Sequence, residues 1–517
     1  ELVMYKNNEI WMALAGNKKI SVLPKMANRH GLIAGATGTG KTITLKVMAE
    51  SFSDCGVPVF LADVKGDLAG MCEPGTENGD MMKRMEQFGL PEAGFSFCSY
   101  PVCFWDIFGE SGIPLRTTIS EMGPTLLARL MDLNPTQSDI LRVIFKIADD
   151  DGLLLIDTKD LRAMLQYAYE NSKEYSAQYG NMSKQSLGAI TRAVVALEDA
   201  GGDQFFGEPA LNIRDWFSTD MSGRGTINIL DCQSLINTPV MYSTFMLWML
   251  SELFETLPEA GDLEKPRMVF FFDEAHLLFE HAPKALLQKI EQVVKLIRSK
   301  GVGIYFITQN PSDIPNDVLA QLGNKVQHAL HAYTPAEQKK VKAAAESFRP
   351  NPAFDTLEAI TNLGIGEALI SFLDEEGRPS MVERGNILPP RSKMGSIGDS
   401  LRKQKIVENP LSVRYQEMVD RDSAYEFLQR KNIEEQNLRE EEKERTQARK
   451  EEEKKKERAQ KKQAAAIGRV ARTASGTIGR ELGNELGKKV GGSFGKRLGG
   501  NVGAALGRGL LDTLFGR

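Results

Sequence analysis

Residues 35–42 read Gly-Ala-Thr-Gly-Thr-Gly-Lys-Thr. Gripping a phosphate takes backbone N–H groups aimed at it and a mobile positive charge. A divalent ion on that phosphate also needs an oxygen ligand. Gly35, Gly38 and Gly40 let the chain turn tightly enough to aim N–H groups at a β-phosphate. Ala36, Thr37 and Thr39 occupy the variable positions of the same loop. Lys41 supplies charge for the β- and γ-phosphates, and the Thr42 hydroxyl completes a Mg²⁺ shell. The dipole of a helix beginning here also favours an anion. The context sharpens the pattern GxxxxGK[ST]: an apolar run, HGLIAG, precedes it and a helical stretch, TITLKVMAESFSDCG, follows. The implied ligands are ATP and Mg²⁺.

Residues 267–276, RMVFFFDEAH, carry the second half of the chemistry. Five apolar residues run into two acids. Asp273 is placed to hold Mg²⁺ through water, and Glu274 to polarise the attacking water. A nucleotide-gated switch needs only the first acid, so the pair points to hydrolysis. A third stretch, VGIYFITQNPSDIP (302–315), ends a buried strand in polar residues. Gln309 at its tip is the candidate sensor of the γ-phosphate. The string DEAH also occurs in a class of helicases, but no QRxGRxGR stretch follows it. HLLFEH (276–281) has neither HExxH nor HxxEH spacing, so no zinc site is read there.

These groups must be held at the ends of buried strands. The runs HGLIAG, VPVFLADV, GTINILDC, RMVFFF and VGIYFIT are such strands, and helical stretches separate them. That alternation predicts an α/β fold with a mainly parallel sheet and helical crossovers. Further strands are expected at NKVQHALHAY, GEALISFL and PSMVERGNIL, and a hairpin in residues 1–30. From Thr117 to Asp215 the text is helix after helix, beginning with TISEMGPTLLARLMDL, with no convincing strand. The expected organisation is a first core part (1–108), a helical insertion (109–222), a second core part (223–395), a charged spacer (396–465) and a tail (466–517).

Residues 430–462 hold 13 Lys/Arg and 10 Asp/Glu. Such a run is a solvated helix or a disordered spacer. Glycine then recurs at every fourth position from 479 to 507, each preceded by an apolar residue. On a helix that stripe invites close packing on a helical partner, or contact with an anionic membrane surface through the interleaved Lys and Arg. The alternative is a disordered glycine-rich tail.

The 517 residues carry a net charge of −5. A bulk cationic nucleic-acid binder is excluded; contact with DNA must come from local basic patches or a pore. Five cysteines without a CxxC pair suggest neither a disulfide framework nor a zinc knuckle. With no signal peptide and no long apolar run, a cytoplasmic location is expected.

GATGTGKT, FLADVKGD, VFFFDEAH and FITQNPSDIP, in this order, resemble the HerA–FtsK group of P-loop ATPases, and more closely the bacterial HerA-like ATPases of unassigned role. The resemblance runs from about Leu32 to Pro390. It implies a RecA-like core that assembles as a homo-hexameric ring and translocates double-stranded DNA. It implies that Arg298 reaches the γ-phosphate of a neighbouring subunit, and that Asp63 is an acidic residue near the phosphates. Arg384 is a weaker candidate arginine. HerA proteins carry a β-barrel before the core, and the 34 residues before Gly35 are too few for one, which puts a docking surface for a nuclease partner in doubt. Three readings follow: a DNA motor, an ATPase acting on a protein or membrane-associated complex, and a nucleotide-gated scaffold.

Overall fold

The computed structural model describes residues 4–280 and 284–470. Among the described residues thirteen strands join in one sheet. In chain order the first four are β1 (Tyr5–Lys6), β2 (Glu9–Ala15), β3 (Lys18–Val22) and β4 (Gly31–Ala34). Next come β5 (Val59–Asp63), β6 (Val102–Asp106), β7 (Ile113–Pro114), β8 (Ile227–Asp231) and β9 (Met268–Phe272). The last are β10 (Val302–Thr308), β11 (Asn324–Gln327), β12 (Glu367–Ser371) and β13 (Glu383–Ile387).

Eight neighbours, in the order β11-β4-β10-β9-β5-β8-β6-β7, pair in parallel. The other five strands extend the β11 edge antiparallel, through β12, β13 and β2. The fold is therefore the expected α/β P-loop core with a mainly parallel sheet. The short β6 and β7 were not expected from the sequence.

β4, β5, β9 and β10 are buried along their whole length. A parallel strand covered on both faces must be apolar on both, and these are. Successive side chains alternate between two cores. Phe270, Phe272, Ile304 and Phe306 face one, while Val269, Phe271, Tyr305 and Ile307 face the other. Over the first core lies the helix Pro239–Thr256, which is apolar nearly all round and correspondingly buried. Over the second lies Lys41–Asp54, whose first residues follow the phosphate loop.

Residues 119–205 are helical and contain no strand. The stretch TISEMGPTLLARLMDL is not one regular helix. Gly123, at φ 75° and ψ 161°, breaks it just before Pro124. Proline disfavours the helical conformation in the residue before it, and glycine supplies the alternative. NKVQHALHAY is strand only through Gln327; His328 and Ala329 then run on beside the end of β4 and the phosphate loop. The chain divides into two units, 1–431 and 432–517. The charged run adopts the first of its two readings, within the helix Ala424–Val470. The glycine repeat lies outside the described residues. Among the described residues no helix is long and apolar enough to cross a membrane.

One polar contact ties the core strands to their helices. His30, fully buried at φ 59°, shares a hydrogen bond of 2.9 Å with the Val294 carbonyl through Nε2. Its Nδ1 accepts 3.0 Å from the Ile304 N–H, which fixes the neutral tautomer with Nε2–H donating. Burial lowers its pKa to about 4. As pH falls below about 6.5, the unfolded chain takes up a proton that the folded chain refuses. This contribution to stability is thus complete above about 6.5 and declines down to about 4. The difference in unfolding free energy between the parent and His30→Asn should shrink over that window by about 3 kcal/mol, as read from urea titrations. Asparagine is the control because it tolerates positive φ.

Candidate functional site

The phosphate loop sits at the carboxyl end of β4, between β10 and β11. Gly35 N–H donates to the Thr308 carbonyl (3.2 Å) and Ala36 N–H to the Ala329 carbonyl (2.8 Å). Thr39 accepts from Gly366 N–H through its carbonyl (3.0 Å). The loop is thus pinned from three strand ends. His328 backs it, with Nε2 2.7 Å from the Thr44 hydroxyl. Gly35, Gly38 and Gly40 have φ of 154°, 79° and 115°. A Cβ on Gly35 would lie 2.5 Å from the Cβ of His328 and 2.9 Å from Thr39 Oγ1. His328 cannot retreat, since its N–H donates to Ala34 (2.7 Å). Gly35→Ala should therefore cost about 2–3 kcal/mol of stability in chemical denaturation, and weaken nucleotide binding although Lys41 remains.

Lys41 lies buried and folds back on its own loop, donating to the carbonyls of Gly35 (2.6 Å) and Ala36 (3.0 Å). Burial and then the nearby Lys65 charge lower its pKa, while Glu274 and Asp273 oppose them. The ammonium thus stands among both site carboxylates and a second lysine. Among the described residues no carboxylate stands at ion-pair distance from it, which suits it to a polyphosphate. Thr42 lines the same cavity, about 520 Å³, together with Lys65 and Asp67.

Asp273 directly follows β9, and Glu274 comes next with φ 48°. This left-handed conformation is costly for a residue with a Cβ, and such strain persists only where the surroundings enforce it. Asp273 Oδ1 accepts from the Glu274 N–H (2.9 Å), and Ala275 N–H donates to the Ile307 carbonyl (2.8 Å). Burial raises the Asp273 pKa to about 6, against the pull of Lys65. Glu274 Oε1 is 2.6 Å from Lys65 Nζ, and its Oε2 is 3.3 Å from His276 Nδ1 and 3.5 Å from Gln309 Nε2. Burial opposes ionisation of Glu274, but Lys65, His276 and Lys41 outweigh it and hold the carboxylate below its usual range. A buried, ionised carboxylate paired to Lys65, a lysine that lines the phosphate cavity, can accept a proton from water. Asp273 and Thr42 offer hard oxygens, the donor type that Mg²⁺ takes.

Gln309 stands at the end of β10, exposed, on a turn that Asp313 fixes by accepting from the Thr308 hydroxyl (3.0 Å) and Asn310 N–H (3.1 Å). Asp63 is turned into the loop behind the site. Its oxygens accept from the N–H groups of Gly66 (2.8 Å) and Leu68 (3.1 Å), and burial raises its pKa to about 7. In this state Asp63 shapes the loop that carries Lys65 and Asp67 rather than lining the phosphate cavity.

Arg298 lies elsewhere. It precedes β10, whereas the phosphate loop adjoins the far end of that strand. Seven residues of strand separate them by about 20 Å. The arginine is exposed and lies near Arg29, whose charge, after burial, lowers its pKa. Arg384 is ion-paired to Glu367 at 2.8 Å.

Lys65 and His328 were not singled out from the sequence. Lys65 had a usable signal: a lysine in a polar loop at the carboxyl end of a parallel strand. His328 had none, because it reads as one more strand residue.

The family model described as "Helicase HerA-like C-terminal" matches residues 9–517. A probable helicase of Methanocaldococcus jannaschii is 31% identical over 67% of this chain and 60% of its own length. The DNA double-strand break repair helicase HerA of Sulfolobus acidocaldarius is 19% identical over 69% of this chain and 65% of its own. The chain thus spans less than two thirds of the length of either. Among solved structures, VirB4 of Thermoanaerobacter pseudethanolicus aligns with a TM-score of 0.48 at 15% identity, over 74% of this chain and 97% of that one.

Proposed function

Because the chain belongs to the helicase HerA-like C-terminal family, we propose that it is an ATP-hydrolysing motor, working as a homo-hexameric ring that moves double-stranded DNA. The observation that carries this reading is Glu274: strained, ionised and held by Lys65 beside the phosphate loop. A switch or scaffold would need Asp273 but gains nothing from a second, strained carboxylate.

In the proposed cycle the loop N–H groups and Lys41 bind the β- and γ-phosphates, Lys41 leaving its own carbonyls to do so. Thr42 and Asp273 would hold Mg²⁺, which neutralises charge on the phosphates. Glu274 takes the proton of the attacking water. Gln309, in reach of Glu274, registers the presence of the γ-phosphate and passes its loss to the turn at Asn310–Asp313. Arg298 of each subunit completes the site of its neighbour, since no motion within one chain brings it across the length of β10.

The second reading is an ATPase that works on a protein or membrane-associated complex, and the net acidity of the chain favours it. ATP turnover with and without duplex DNA, at several salt concentrations, separates the two. The DNA motor should be stimulated, with stimulation fading as salt rises, because phosphate contacts release counterions. Basal turnover that ignores DNA at every salt concentration would remove DNA from the account and favour the second reading.

A further inference from the structure

The triphosphate has a direction in this site. Its γ end must meet Glu274 and Gln309, where water is activated. The nucleoside must then leave from the other side of the loop, past Ile43. There a second cavity of about 490 Å³ opens, and it shares Gly40, Ile43, Ile365 and Met394 with the phosphate cavity. Its walls add Met81, Pro389 and Pro390.

Two of these side chains are conspicuously wet. Ile365 is 81% exposed and Met394 51%. Neither is loosely placed. Arg84 donates to the carbonyls of Gly366 (2.7 Å) and Ile387 (3.0 Å), so the loop bearing Ile365 is tied to the end of β13. The segment bearing Met394 is clamped to the phosphate-loop helix. Glu50 accepts from Arg391 N–H (2.8 Å) and Ser392 N–H (3.1 Å), and Lys46 donates to the Lys393 carbonyl. Two exposed apolar side chains thus stand on tied-down backbone at the mouth of a slot continuous with the phosphate site.

We propose that this slot takes the nucleobase, gripping its faces between Ile365 and Met394 rather than reading its edge. The inference rests on the nucleotide reading above and adds which residues set its base preference. Among the described residues no carboxylate side chain lines the slot, so no acidic group described there pairs with the N1–H and N2–H₂ donors of guanine. Asn78 is the one side-chain amide, and its oxygen already accepts from Met81 N–H (2.8 Å). Face contact without edge readout predicts weak discrimination between purines.

The test is competition of ATP, GTP and tripolyphosphate, each with Mg²⁺, against a fluorescent nucleotide. The parent should bind ATP and GTP alike and tripolyphosphate more weakly. Ile365→Asn, which removes the apolar contact without adding a charge beside the phosphates, should weaken ATP and GTP by about tenfold and leave tripolyphosphate unchanged. Met394→Ala should do the same to a smaller degree. Equal weakening of all three probes, or no weakening of either nucleotide, would overturn the inference. So would a shift of particle mass with nucleotide affinity unchanged, which would make Ile365 a subunit contact. If the parent binds none of the three, the nucleotide reading itself fails, and that outcome is distinct.

Discussion

Glu274→Gln is expected to bind ATP as well as the parent does and to hydrolyse it about 10³-fold more slowly. The amide keeps the size of the side chain and its distance from Gln309, but it cannot take a proton from water. Lys41, Thr42 and the loop N–H groups are untouched, so binding should survive. Folding should survive as well, because the partner lost is Lys65, whose side chain is 41% exposed. Exposed partners of this kind contribute little. The measurements are steady-state turnover and nucleotide affinity on the same preparation. Turnover equal to the parent's would remove Glu274 from catalysis and return the site to a binding switch.

Arg298→Ala should match that loss by another route, with turnover down about 10³-fold and affinity and melting temperature nearly unchanged. Among the described residues Arg298 has no carboxylate within ion-pair distance, and it stands about a strand's length from its own phosphate loop. Its repulsive neighbour, Arg29, makes the place costly for a cation that serves only the fold. If Arg298 did no more than favour the helix end that it caps, alanine would cost less than about 1 kcal/mol of stability and leave turnover alone. Arg298→Lys should not rescue turnover, since an ammonium lacks the planar fork that meets two phosphate oxygens.

The parts of the site nearest the chemistry were legible from the sequence because each is local. Glycine spacing, a lysine and a strand–helix context specify a phosphate loop over eight residues. Five apolar residues ending in Asp273-Glu274 specify a strand with acids at its tip. The bracing was not legible, because it is made over long separations. His328 meets Thr44 across 284 positions, and Arg391 meets Asp54 across 337. The antiparallel half of the sheet was hidden in the same way: β13 returns to pair with β2, and no periodicity in either segment says so. β6 and β7 escaped because they are short and lie among Cys, Pro and Gly, without the alternation that marks a strand. The Gly123 break was present in the letters as Gly-Pro and was overridden by an apolar pattern that fits one helix. Arg298 is the opposite case. Its position was legible, but nothing in a single chain shows what it meets.

The central claim is that a working site is built from two chains, and mixing two inactive variants tests it directly. Glu274→Gln keeps Arg298, and Arg298→Ala keeps Glu274. Combined in equal amounts and allowed to assemble with ATP and Mg²⁺, about a quarter of the interfaces should join an intact Glu274 site to an intact Arg298 by random pairing. The account predicts ATP turnover in the mixture well above that of either variant alone. A mixture that forms assemblies containing both variants, yet turns over no faster than its components, would contradict it.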